Sequence, residues 1–107
     1  MRITRRKAIA IAIAGPAALA ALPAHAATHN VTIQGRKFIP AELTISAGDT
    51  VVFTNVSGRH TATALDGSFD TGSLSKGGVG EITVSTKGTY PYRCTFHHSM
   101  KGTITVV

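Results

Sequence analysis

One cysteine among 107 residues excludes an internal disulfide. Acidic side chains are scarce as well, five against eleven lysines and arginines. The basic excess has a local origin, because Arg2, Arg5, Arg6 and Lys7 all lie within the first seven positions. Beyond residue 26 there remain seven basic and five acidic side chains, a net charge of +2. No stripe of cations interleaved with aromatics occurs, which argues against nucleic acid as a partner. The longest apolar run, Ala8 to Leu22, has 15 residues and is broken by Gly15-Pro16. A spanning helix needs about 20, so no permanent membrane anchor is expected. The chain also lacks a Ser/His/Asp arrangement, a phosphate loop and a paired-carboxylate motif, so it is not expected to be an enzyme. Internal repeats and low-complexity tracts are missing too.

What the N-terminus does have is a sequence of three parts. A basic start, the apolar run and Pro23-Ala24-His25-Ala26 form the n-region, h-region and Ala-x-Ala site of a secretory signal. Cleavage is expected after Ala26, making residues 1–26 a signal and residues 27–107 one exported domain, placed in the periplasm. Arg5-Arg6 after Thr4 resembles a twin-arginine signal, but Lys7-Ala8-Ile9 matches that pattern only in part, so both export routes stay open. An 81-residue domain (27–107) has one modest core, in a size range where a staple or a metal often supplements packing. An unpaired thiol in an oxidising compartment needs an explanation, and metal binding is one.

From Ala27 onward apolar residues recur with period two: Val31 and Ile33, Leu43 and Ile45, Val51 and Phe53, Ile82 and Val84, Tyr90, Tyr92 and Cys94, Ile104 and Val106. Turn signals separate them at Pro40, Ala47-Gly48-Asp49, Ser57-Gly58, Asp66-Gly67, Gly77-Gly78, Lys87-Gly88 and Lys101-Gly102. The pattern predicts an all-β domain, a Greek-key β-sandwich or barrel of about six to eight strands, with no substantial helix. His29 and Asn30 are expected to be solvated.

The chemistry concentrates in Cys94-Thr95-Phe96-His97-His98-Ser99-Met100, between two predicted strands. Such a loop can aim a thiolate, an imidazole and a thioether at one point. Two histidines, one cysteine and a weak axial methionine make the blue-copper donor set, and His60 is the well-placed second histidine. Each residue alone has a plainer reading: Cys94 a buried core thiol, Met100 a gap filler, His60 a surface loop residue. On that reading the chain is a metal-free β-sandwich interaction module. His98 is expected to point outward; adventitious binding of zinc or a second copper is its alternative role.

The run from Gly88-Thr89-Tyr90-Pro91-Tyr92-Arg93-Cys94 through His97 to Met100 and Gly102 resembles the copper loop of the cupredoxins. Its Cys-x-x-His-x-x-Met spacing is similar to the amicyanin branch, whereas plastocyanin and pseudoazurin carry a longer gap before methionine. Phe38 to Ile45 and Gly48 to Phe53 resemble the family's early strands. The resemblance covers almost the whole of residues 27–107. It implies a small exported one-electron carrier with one type 1 copper held by His60, Cys94, His97 and Met100. It also implies that the edge of the His97 ring is the electron exit, within an apolar patch that includes Phe96. A dehydrogenase donor and a c-type cytochrome acceptor follow from the amicyanin likeness, and a monomer is expected. A periplasmic copper chaperone or store is the alternative use of such a site, although the chain has no Met- and His-rich tract.

Two departures from the family carry expectations of their own. Thr61 stands where cupredoxins commonly have asparagine after the upstream histidine. Its hydroxyl is expected to bond the backbone near Thr95. Phe96 and His98 replace prolines that flank the loop histidine in amicyanin, freeing N–H groups. A bond from such an N–H to the Cys94 sulfur is expected to raise the reduction potential.

Overall fold

Residues rich in β-branched and aromatic side chains at alternate positions pair into sheets because one face of each strand can then be buried. The computed structural model describes residues 26–107, so the expected export signal lies outside it except for Ala26. Eight strands follow in order: β1 (Thr28–Gln34), β2 (Lys37–Ile39), β3 (Glu42–Ile45), β4 (Thr50–Asn55), β5 (Thr63–Ala64), β6 (Val79–Thr83), β7 (Gly88–Arg93) and β8 (Lys101–Val106). They form two four-stranded sheets, ordered β2-β1-β4-β6 and β3-β8-β7-β5. β1 runs parallel to β4 and β3 parallel to β8, while the other neighbours are antiparallel. The chain changes sheet after β2, β3, β4, β5 and β6, which stitches the two layers into one all-β sandwich. No helix occurs among the described residues.

The inward positions are those the alternation marks. Val31, Ile33, Val51 and Phe53 from one sheet face Ile45, Tyr90, Tyr92, Ile104 and Val106 from the other, all buried. Alternation does not mark β2 or β5, although Phe38 of β2 falls in the segment that resembles the family's early strands; Phe38 and Ala64 of β5 are both buried. At the centre, the Tyr92 ring lies 4.6 Å from Phe38, 5.5 Å from Phe53 and 5.7 Å from Phe69, in edge or tilted contacts. Each such pair adds about 0.5–1.5 kcal/mol beyond area burial. Burial pushes the Tyr92 phenol well above its usual pKa.

Gly102 makes room for that ring. It stands opposite Tyr92 in the β7–β8 register, and a Cβ there would overlap the ring carbons. The sheet backbone on one side and the aromatic cluster on the other leave neither partner free to yield. Gly102→Ala is expected to cost about 1–3 kcal/mol by overpacking. Thermal unfolding checks it, at about 4–8 °C in Tm per kcal/mol for a domain of this size. An unchanged Tm would show that Tyr92 can move aside.

Candidate metal centre

β7 and β8 are antiparallel neighbours whose last pair is Arg93–Lys101. The ladder continues one step further, because Cys94 N–H donates to the Met100 carbonyl at 3.1 Å. Period two then does the aiming. Tyr90 and Tyr92 point inward, so Cys94 does too; Gly102 and Ile104 face inward, so Met100 does too. Cys94 is 0% exposed and Met100 2%. The residues between them fold back, with Met100 N–H donating to the His97 carbonyl at 2.9 Å. That turn leaves His97 half-buried at the end of the sandwich and His98 exposed, as expected.

His60 comes from the segment between β4 and β5, where the chain crosses from one sheet to the other. Its N–H donates to the Leu74 carbonyl at 3.0 Å and its carbonyl accepts Leu74 N–H at 2.7 Å, a single bridge that fixes the main chain. Asn55, at the end of β4, holds that bridge and the preceding turn together. Its amide donates to the carbonyls of Gly58 at 2.8 Å and Leu74 at 2.9 Å. Asn55 occupies an inward position and is 0% exposed, where the strand pattern calls for an apolar residue. Sequence reasoning passed over it; a buried-phase amide just before a Ser-Gly turn is the signal that could have found it.

The His60 Nδ1 lies 3.8 Å and the His97 Nδ1 3.7 Å from Cys94 Sγ. The three donor atoms all fall within 4.8 Å of one another. With metal–sulfur and metal–nitrogen bonds of about 2.3 and 2.0 Å, a trigonal plane separates S and N by about 3.7 Å and a tetrahedron by about 3.5 Å. The observed spacing therefore fits three donors around one ion in a near-planar arrangement. His60 is held below the ordinary imidazole pKa, first by burial and then by repulsion from His97, against a backbone hydrogen bond to Ser57. A neutral ring with Nδ1 facing the sulfur is the form a metal needs.

Thr61 and Thr95 meet as expected: the Thr61 hydroxyl oxygen accepts the Thr95 N–H at 3.0 Å. The donor on the sulfur differs from the expectation. It is Thr61 N–H, 3.4 Å from Sγ; among the described residues neither Phe96 nor His98 donates to Cys94. Removing proline frees an N–H but does not aim it, and the raised potential expected from those two amides has no support in the fold. Phe96 is instead 49% exposed, with the Arg59 guanidinium 5.5 Å from its ring centroid. Beside it, an open concavity of about 470 Å³ is lined by Arg36, Arg59, His60 and His97. Arg36 reaches this end because it sits in the two-residue β1–β2 turn at φ 62°, the only non-glycine residue at positive φ among those described.

Comparison with known proteins agrees with the geometry. The model of the cupredoxin-like domain family matches residues 7–106. A plastocyanin of Prochlorothrix hollandica is 34% identical over 92% of this chain and 87% of its own. The solved structure of an oxidised methionine-to-leucine variant of amicyanin superposes with a TM-score of 0.69 at 27% identity, over 74% of this chain and 81% of that one. A copper-containing nitrite reductase of Thermus scotoductus superposes with a TM-score of 0.71 at 32% identity, over 87% of this chain but 25% of that enzyme. By family match, identity and donor set, the chain belongs to the cupredoxin-like family, in its amicyanin and plastocyanin branch, and its cofactor is a type 1 copper.

Proposed function

We propose that residues 27–107, released from the signal after Ala26, act in the periplasm as a diffusible one-electron carrier whose copper is held by His60, Cys94, His97 and Met100. The observation that carries this reading is the buried Cys94 sulfur with two imidazole nitrogens at 3.7 and 3.8 Å. Bound copper supplies the Cu(I)/Cu(II) couple. The protein's own residues do the rest. Cys94 binds as the thiolate and accepts Thr61 N–H, which spreads its charge. His60, 3% exposed, anchors the inner side and excludes water, while Met100 closes the buried side of the loop. His97 is the donor whose ring reaches the surface, so electrons enter or leave along it. A site this enclosed, with donors set by main-chain bonds, suits electron passage better than handing over an ion.

The rim around His97 is the docking face. Phe96 supplies apolar contact there, and Arg36 and Arg59 place two cations beside the ring edge. The near-neutral total of residues 27–107 thus hides a local positive end, which suits redox partners with an acidic docking surface. A dehydrogenase donor and a c-type cytochrome acceptor fit this role by likeness of the copper loop to amicyanin.

Adding Cu(II) to the purified protein should give an intense visible thiolate-to-copper band that a reductant bleaches reversibly. Copper binding without that band would favour copper handling, and no binding would favour a metal-free module. Cys94→Ser should abolish the band; its persistence would refute the ligand assignment. The rim is tested at Arg36. A left-handed conformation costs a non-glycine residue about 1–2 kcal/mol, so Arg36→Gly should raise Tm. The same change should slow exchange with an acidic cytochrome several-fold at low ionic strength and little at high salt, as stopped-flow mixing would read.

A further inference from the structure

A second polar cluster lies at the other end of β4, six residues before Asn55 and away from the metal. Asp49 follows Gly48, whose φ of 91° turns the chain inward, and the aspartate is 4% exposed. Its Oδ1 accepts Ala27 N–H at 2.9 Å. Its Oδ2 accepts Ser46 N–H at 3.0 Å and meets His29 Nε2 at 2.9 Å. These bonds, His29 first and then the Ala27 and Ser46 amides, hold the carboxyl below its ordinary pKa of 3.8. His29 is thus half-buried and held by the Asp49 carboxylate rather than freely solvated, while its neighbour Asn30 is exposed. The Ala27 carbonyl accepts Thr50 N–H at 3.0 Å, so both sides of residue 27 are fixed against β4.

Ala27 directly follows the Ala24-His25-Ala26 site. Hydrolysis by a signal peptidase adds one water across the Ala26–Ala27 bond. Ala26 leaves as a carboxylate, and the nitrogen of Ala27 becomes an ammonium without having to move. We propose that Asp49 is a built receptor for the amino terminus that signal removal creates, pairing the Ala27 ammonium with the Asp49 carboxylate and fastening β1 beside β4. Before processing, the same nitrogen is a neutral amide donor. After it, a charge-assisted bond replaces a neutral one, and such bonds are roughly twice as strong. The cluster therefore strengthens the fold once the chain is exported and cut. The inference rests on cleavage after Ala26 and is independent of copper.

The other charged groups at this end are few. β1 contributes His29 and the turn after β6 contributes Lys87, while the Val107 backbone oxygen accepts Ala47 N–H at 3.2 Å. Among the described residues only His29 lies within ion-pair distance of Asp49, and it adds charge there only when protonated. An ammonium whose pKa is raised by a partner contributes stability fully below its ordinary pKa of about 7.7–8.0 and loses it as pH rises through the folded value. The carboxylate sets the acid limit, since its share is lost as pH falls below the ordinary 3.8.

All eight described strands lie within residues 28–106, so a chain starting at Ala27 contains every one of them. It should be compared with a chain carrying one extra glycine before Ala27, both with and without copper. At pH 6 the Ala27-start chain should melt several degrees higher. The difference should vanish above about pH 10, where the amine is neutral, and in Asp49→Asn. Equal melting at pH 6, or an advantage that survives Asp49→Asn, would overturn the proposal. If Asp49→Asn does not fold, NMR titration of the Ala27 amine decides: a raised pKa supports the pair and an ordinary one refutes it. Mass spectrometry of the exported protein tests the processing step separately. A start at Ala27 supports it, and any other start removes the proposal whatever the melting shows.

Discussion

The candidate metal centre depends on one residue outside the proposed donor set. Thr61 adjoins His60, and Thr95 adjoins Cys94, 34 positions away. The Thr61 hydroxyl accepts Thr95 N–H at 3.0 Å while its own N–H reaches the Cys94 sulfur at 3.4 Å. The two segments that flank the paired strands β5 and β7 are thereby clamped at the atoms next to the donors. The clamp is itself oriented. Thr63 gives its single hydroxyl proton to the Asp70 carboxylate at 3.0 Å, so it accepts from Thr61 at 2.9 Å. That leaves the Thr61 lone pairs to Thr95, and such a relay strengthens each member. Without it, metal binding would have to order both loops and lose affinity by that amount.

β4 organises both ends of the molecule with two polar residues in inward or near-inward places. Asn55 at its end holds the His60 segment, and Asp49 just before its start gathers Ala27, His29 and Ser46. Each is affordable because every buried polar atom there has partners; a half-satisfied amide or carboxylate would cost more than an apolar side chain. The apolar span between them, Val51 and Phe53, packs on Tyr92 and its ring of phenylalanines. Gly102 lets that ring lie flat against the sheet directly beneath the Cys94–Met100 step, so core packing and donor aim are set by the same pair of strands.

Much of this was legible in the sequence where the relevant physics is local. Period-two alternation marked the core strands, and the same alternation, carried through Tyr90 and Tyr92, placed Cys94 inward. The short Cys94–Met100 loop put three candidate donors within one hairpin, and the structure brings His60 to them. What the sequence could not show depends on contacts across 19 to 33 positions. The Thr61 N–H on sulfur, the Asn55 bonds to the Leu74 carbonyl and the pairing of His29 with Asp49 are all of this kind. The strands β2 and β5 are too short to carry a period. The expectation for Phe96 and His98 failed because an available donor is not a directed one. Part of the charge at the metal end was hidden by distance in sequence, since the β1–β2 turn brings Arg36 to the concavity lined by Arg59, His60 and His97.

Hydrogen bonds, not the metal, set the donor triangle. The most direct test is a pair of crystal structures of the protein, free of copper and loaded with it, read at the distances from Cys94 Sγ to the Nδ1 atoms of His60 and His97. Both distances should stay near 3.8 and 3.7 Å, with the Thr61–Thr95 bond intact in each state. A copper-free structure in which His97 or His60 has swung away while that bond persists would contradict this.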